Sequence, residues 1–297
     1  MHRSLRPWFL VALAAMLLGT LAPARAAETT PDTIKARGVL RVGVKFDAPP
    51  FGQLDPRTNK VDGFDIDIAR AVAKTILGDE NKIEFVGVTS ANRIPQLQNG
   101  NIDLIIATMT ITQARMQQID FSNVYYRAGQ SLLVRKDSPV KSYRDLAGRS
   151  VCTITGSTPE QTIRRVAPRA TVIVLESYPE CFTALRGGRV DAETTDNVLL
   201  FGLQQQDPAN FKLTGGLFTF EPYGIGIAKG NRALAAAVNT TLTHIAGDGS
   251  YAKMHAKWLK ESPPGDWRSW FAESPEKAAE QFATQFPSPS PAPAATR

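Results

Sequence analysis

Two heptapeptides, "LQNGNID" (97–103) and "LRGGRVD" (185–191), share the pattern L-x-x-G-x-[IV]-D and constrain this chain more than any other feature. Each reads as a helix closed by a glycine cap, with a strand following after an aspartate. Strand-like runs surround them: "VLRVGV" (39–44), "IEFVGV" (83–88), "IDLIIAT" (102–108) and "SLLV" (131–134) precede a polar, turn-rich break at "KDSPVKSYRDLAG". The rhythm then restarts with "SVCTI", a helix from Thr158, "TVIVL", a helix around Cys181 to Arg186, and "VDAETT". Among the helical patterns, Phe64, Ile68, Val72 and Ile76 recur every four residues as one apolar stripe. A strand-helix-strand rhythm run twice implies two α/β lobes. "YGIGIA" (223–228) reads as another strand, followed by helices in "ALAAAVNTTLTHIA" and "YAKMHAKWL". The second lobe is therefore expected as an insertion into the first, with two connecting strands near 132–137 and 219–225 acting as a hinge. The expected division is 32–135 plus 224–262 for the first lobe and 136–223 for the second.

The compartment follows from the first residues. Arg3 and Arg6 precede the apolar run "PWFLVALAAMLLGTLA", which ends in Ala24-Arg25-Ala26, so residues 1–26 read as a secretory leader cleaved near Ala26. No later segment has the length of a membrane span. A soluble periplasmic protein is expected, and with no cysteine before Cys152 an acylated N-terminal cysteine is not. Loss of Arg3, Arg6 and Arg25 with the leader leaves 31 basic and 28 acidic residues, too even a balance for a nucleic-acid partner. The pair Cys152 and Cys181 in an oxidising compartment points to one disulfide, the alternative being two buried thiols. Three histidines, of which His2 leaves with the leader, cannot build a histidine-rich metal site, and no metal or other cofactor is expected. From Pro263 the composition shifts to a C-terminal Pro-rich tail (263–297), expected to be partly disordered and ending in "PSPSPAPAATR". Trp267 and Trp270 within it could dock on the body or sit in a linker.

An arginine poses a separate question. In "ATMTITQAR" (107–115), Thr112 reads as a helix N-cap, which puts Arg115 in the first turn, where the dipole disfavours a cation. Something negative should compensate, the alternative being a surface arginine that is tolerated at small cost or paired with a nearby carboxylate. Thr158 reads as a second N-cap, with Pro159 at N1 and Gln161 at capping-box spacing.

The segment "GFDIDIARAVAKTI" (63–76) resembles the signature of the family 3 extracellular solute-binding proteins, the periplasmic amino-acid receptors of ABC importers. The resemblance runs from about residue 32 to 260 and includes "ATMTITQAR", "IDFSNVYY" and "GSTPEQT". "KFDAPPFG", "TSANRIPQLQNG", "SYPECFTAL" and "DAETTDNVLLFG" look closest to the glutamate/aspartate-binding subgroup. The resemblance implies a two-lobed α/β, type II periplasmic-binding-protein fold joined by two hinge strands. It further implies a non-enzymatic monomer that binds an amino acid between its lobes and delivers it to an inner-membrane ABC permease.

By the same resemblance, Arg115 clamps the ligand's α-carboxylate, with hydroxyl and backbone donors from Thr108 and Thr110. Backbone N–H groups around Ser157 and Thr158 meet that carboxylate from the second lobe. Asp196, at the end of its strand, takes the α-ammonium, while strand alternation turns Glu193 to the opposite face. Lys45, just after the first strand, and Arg93, at the start of a helix and so again a cation placed against the dipole preference, take a distal carboxylate, which favours L-glutamate or L-aspartate as ligand. Tyr178 lines the pocket and Phe51 covers the ligand's methylenes, or both pack in the core. Asp65 and Asp67 are read as structural acids of a helix start. The alternatives are a receptor for glutamine or another polar amino acid, a cyclohexadienyl dehydratase-like enzyme on the same fold, and a sensor domain.

Overall fold

The computed structural model describes residues 29–285, so the expected leader and the Pro/Ser/Ala-rich end lie outside the described residues. Two five-stranded sheets carry the chain. The first has the order Ile83–Gly87, Leu40–Val44, Leu104–Ile105, Gly226–Ile227, Asp120–Phe121. Its first three strands are parallel, and Gly226–Ile227 runs antiparallel to both of its neighbours. The second repeats that plan as Thr171–Leu175, Ser150–Ile154, Ala192–Asp196, Gln130–Arg135, Phe211–Thr214, with Gln130–Arg135 as the antiparallel member.

The repeated heptapeptides explain part of this likeness. After each helix a glycine takes a left-handed conformation (Gly100 φ 72°, Gly188 φ 72°) and redirects the chain toward the sheet. The aspartate that closes each heptapeptide then pins it to the neighbouring parallel strand of its sheet. Asp103 Oδ2 accepts the Arg41 N–H at 2.8 Å, and Asp191 Oδ2 accepts the Ser150 N–H at 2.8 Å. The apolar stripe behaves as its spacing predicts: Phe64, Ile68, Val72 and Ile76 are all buried on the helix Phe64–Leu77.

Tyr126–Ala128 and Glu221–Tyr223 pair antiparallel and join the two sheets as a short ribbon. The second crossing lies where expected, but the first lies upstream of 132–137, and the first lobe does not extend to residue 135. "SLLV" is buried at every position, and Leu133 sits opposite both Glu193 and Leu213 inside the second sheet. Four consecutive buried side chains need cover on both faces, which this strand has inside the second sheet.

The segment after 262 takes the first of the two arrangements left open for its tryptophans. Trp267–Ala272 forms a 3₁₀ turn and Pro275–Thr284 a helix, with Trp267, Trp270 and Phe271 buried. Trp267 stacks on Tyr251 with ring centroids 4.8 Å apart. Large aromatic surfaces bury too much area to be left in a linker, so this stretch docks on the body.

Candidate functional site

Thr112 caps the short helix Gln113–Met116, its Oγ1 accepting the Arg115 N–H at 3.2 Å. The Arg115 guanidinium turns back, Nη1 donating to the Thr110 carbonyl at 2.7 Å and Nη2 reaching the Gly156 carbonyl of the second lobe at 3.2 Å. Burial and the nearby Arg93 charge lower its pKa to about 9. The loop before it hangs on one peptide unit. Arg93 Nη1 donates to the Ala107 carbonyl at 2.6 Å, and the Thr108 N–H donates to Asp65 Oδ2 at 2.9 Å. Tyr125 OH donates to Asp65 Oδ1 at 2.8 Å, and Thr108 adopts φ 46°. A threonine in the left-handed region costs roughly 1 kcal/mol or more, and the two charges holding that peptide offset it. Burial pushes the Asp65 carboxyl to about 7 against the Tyr125 and Thr108 hydrogen bonds and the Arg93 charge.

In the second lobe the cap falls one residue earlier than expected. Ser157 is the N-cap, accepting the Glu160 N–H at 3.1 Å, with Thr158 opening the helix Thr158–Val166; Glu160 rather than Gln161 reaches back, accepting the Gly156 N–H at 3.1 Å. The Thr158 hydroxyl is engaged elsewhere, by Glu221, a residue that sequence reasoning missed. Glu221 Oε2 accepts Thr110 Oγ1–H from the first lobe at 2.7 Å and Thr158 Oγ1–H from the second at 2.9 Å; its Oε1 accepts Thr219 at 3.0 Å. The Thr110 hydroxyl, expected to donate to a ligand, thus gives its proton to a carboxylate, as does the Thr158 hydroxyl. Burial, then the like charge of Asp196, pushes Glu221 to about 8. The signal was a lone acid inside "FTFEPYG", where strand alternation offered it a buried position.

Asp196 ends its strand and opens the helix Asn197–Gln204 without capping it. Tyr223 OH, from the hinge ribbon, donates to Oδ2, while Oδ1 has no hydrogen-bond partner among the described residues. Burial raises Asp196 to about 6, against the Tyr223 bond and the charges of Arg115 and Arg93.

Lys45 is fully buried, 5.3 Å from the Tyr178 ring centroid, and its Nζ has no hydrogen-bond partner among the described residues. Burial lowers its pKa to about 7 despite Asp47, and Arg93 and Arg115 push the same way. Arg93 opens the helix Arg93–Gln98 as expected, and its Nε is likewise without a partner among those residues. The Tyr178 hydroxyl accepts Thr195 Oγ1–H at 3.3 Å. Lys45, Arg93, Arg115, Tyr178 and Asp196 thus feel one another's charge, and Thr110, Thr158 and Glu221 lie directly beside them. Phe51 packs in the first lobe's aromatic core, with centroids 5.2 Å from Phe64 and 5.1 Å from Tyr126. Glu193 lies fully buried on the face opposite Asp196, and burial alone holds its carboxyl well above the ordinary range. Cys152 and Cys181 form a disulfide, Cα atoms 5.5 Å apart, between the strand before the Ser157 cap and the helix Tyr178–Arg186.

These groups come from both lobes, and the lobes are shut on them. Besides Arg115 to Gly156 and Thr110 to Thr158 (3.2 Å), Gly202 meets the first lobe so closely that a Cβ there would lie 2.1 Å from the Pro49 carbonyl oxygen. Two α/β lobes closed over a buried set of arginines, carboxylates and hydroxyls define a solute-binding protein. The chain belongs to the bacterial extracellular solute-binding proteins, family 3, whose profile matches residues 40–261.

Within that family it is 54% identical over 217 residues to a glutamine-binding protein of Geobacillus stearothermophilus, covering 73% of this chain and 82% of that one. It is 50% identical over 240 residues to an ABC transporter glutamine-binding protein of Bacillus subtilis (strain 168), covering 80% and 88%. An ancestral arginine-binding protein bound to glutamine superposes with TM-score 0.71 at 43% identity, covering 76% of this chain and 99% of that one. By contrast, an L-glutamate/L-aspartate-binding protein of Pseudomonas aeruginosa is 28% identical, over 91% of this chain and 97% of its own length. The acidic ligand expected from Lys45 and Arg93 is thus less well supported than the alternative, glutamine.

Proposed function

We propose that this family 3 amino-acid receptor binds L-glutamine between its lobes and presents the closed form to an ABC permease from the periplasm. Arg115 holds the α-carboxylate together with the backbone around Ser157 and Thr158, and Asp196 holds the α-ammonium. The observation that carries the reading is Lys45, a fully buried amine at the pocket's far end, where burial disfavours the charged form and lowers its pKa to about 7. Arg93 already spends one nitrogen on the Ala107 carbonyl. The head group matches one cation and one anion and Asp65 faces the Arg93 charge, so with Lys45 neutral an uncharged side chain leaves no further charge to neutralise, and Lys45 Nζ can donate to the amide oxygen. The glutamine-binding proteins at 50% and 54% identity support this choice.

L-glutamate is the second reading, favoured by Lys45 Nζ and Arg93 Nε, two nitrogens without a hydrogen-bond partner among the described residues. Calorimetric titration at about pH 8, repeated in buffers of different ionisation enthalpy, separates the two, because a carboxylate beside Lys45 must draw a proton onto it. We expect glutamine to bind at least tenfold more tightly than glutamate or aspartate, and any glutamate binding to take up a proton. In Lys45→Met the glutamine loss should be about 1–2 kcal/mol, the worth of one hydrogen bond in a dry site. Tighter binding of glutamate than glutamine overturns the proposal.

A further inference from the structure

Residues 262–285 lie beyond the family profile, which ends at 261, yet they touch both strands of the hinge ribbon. On the first crossing strand, Arg127 pairs with Glu273 and with Asp266 (3.4 Å), and its guanidinium lies 5.5 Å from the Phe220 ring and 5.7 Å from the Trp270 ring. Just upstream, the Val124 N–H donates to the Glu273 carbonyl at 3.1 Å and Asn123 Nδ2 to the Phe271 carbonyl at 2.7 Å. On the second crossing, the Gln285 side chain grips one residue at both polar atoms: its Oε1 accepts the Phe220 N–H at 2.6 Å and its Nε2 donates to the Phe220 carbonyl at 3.0 Å. The helix Pro275–Thr284 also packs on Gln113–Met116, the helix that carries Arg115.

Within two residues of these contacts, the backbone is held by the second lobe instead. Gly129 exchanges hydrogen bonds with Asn197, its N–H reaching Oδ1 at 3.2 Å and its carbonyl accepting the Asn197 N–H at 2.8 Å. Thr219 Oγ1 accepts the Gln130 N–H at 2.8 Å. Attachment to the first lobe therefore gives way to attachment to the second at Ala128–Gly129 on one strand and Thr219–Phe220 on the other.

We propose that residues 262–285 form a brace that fixes the hinge ribbon to the first lobe, so that closure on a ligand pivots at Ala128–Gly129 and Thr219–Phe220 and not by bending the ribbon. Arg127, Glu273, Trp270 and Gln285 are positioning residues for ligand capture; none of them lines the cleft. The inference rests on the receptor reading only in that closure accompanies binding. A flexible ribbon would let the second lobe swing over many directions, whereas a braced one restricts it to a single arc that returns Gly156 and Thr158 to Arg115 and Thr110.

The test is amide hydrogen exchange by NMR on the full mature chain, with and without L-glutamine, beside Gln285→Ala and Glu273→Gln. We expect the Val124 and Phe220 amides to be as protected without ligand as with it, within about twofold. In Gln285→Ala, Phe220 should exchange at least tenfold faster and bound L-glutamine leave at least fivefold faster, with little change in melting temperature. A general loss of stability would lower melting without changing ligand release. Protection of Phe220 that appears only with ligand overturns the brace, as does a Gln285→Ala chain unchanged in both rates. If L-glutamine shifts no amide of the native protein, the glutamine proposal fails, and the brace is decided by ligand-free protection of Phe220 and its loss in Gln285→Ala.

Discussion

The peptide between Ala107 and Thr108 is gripped at its oxygen by a cation and at its N–H by an anion, and both grips come from distant sequence. Arg93 was legible as a cation placed against a helix dipole, but its partner was not, because only folding brings Asp65 beneath residue 108. Asp65→Ala should therefore weaken amino-acid binding tenfold or more by releasing Thr108, a loss visible in calorimetric titration. Buried acids at this site also govern pH response. Asp65, Asp196 and Glu221 are raised to about 7, 6 and 8, so the folded chain binds their protons more tightly than the unfolded one. Their contribution to stability is complete below the ordinary carboxylate range and is lost as pH climbs through the folded values. Lys45, lowered to about 7, acts in the opposite sense, its penalty fading only as pH rises from there toward 10.5. The ligand-free protein should accordingly melt at falling temperature from about pH 5 to pH 8, and Glu221→Gln should flatten that fall; scanning calorimetry across the interval decides it.

Elements were the most legible layer where periodicity was strong. The stripe from Phe64 to Ile76 and the strands Leu40–Val44, Ser150–Ile154 and Thr171–Leu175 fall within a residue of their expected bounds. "SLLV" misled because a run buried on both faces looks the same whether it lies inside a sheet or between two of them. The Thr158 cap misled for a neighbouring reason: serine and threonine cap equally well in sequence, and only Glu221's claim on the Thr158 hydroxyl leaves Ser157 to do it. Ser157→Ala should cost about 1 kcal/mol of stability, read by denaturant melting. Gly202 offers a sharper test. Alanine suits the interior of Asn197–Gln204 and should leave the ligand-free protein as stable or up to about 1 kcal/mol more so. Its Cβ cannot coexist with the Pro49 carbonyl in the closed form, so Gly202→Ala should lower affinity at least tenfold in the same preparation.

For the whole molecule, the double rhythm and the echoed heptapeptide revealed two lobes, and the signature around Phe64 revealed the family. Ligand identity was harder, because two buried cations read alike whether they face a carboxylate or an amide; Lys45's readiness to shed its proton comes from burial that only the folded chain shows. Within the second lobe, the Cys152–Cys181 bridge spans 29 positions, and its removal by paired serine substitution should cost roughly 3–4 kcal/mol, measurable by melting with and without reductant. The first lobe has a different dependence. Gly226–Ile227 lies in the middle of its sheet, Gly226 opposite both Ile105 and Phe121. A chain that emerges amino-end first must therefore carry an incomplete first sheet, with Asp120–Phe121 lacking its neighbour, until Gly226–Ile227 has emerged. Late completion of that kind makes the first lobe, although it begins the chain, the last part of this molecule to become whole.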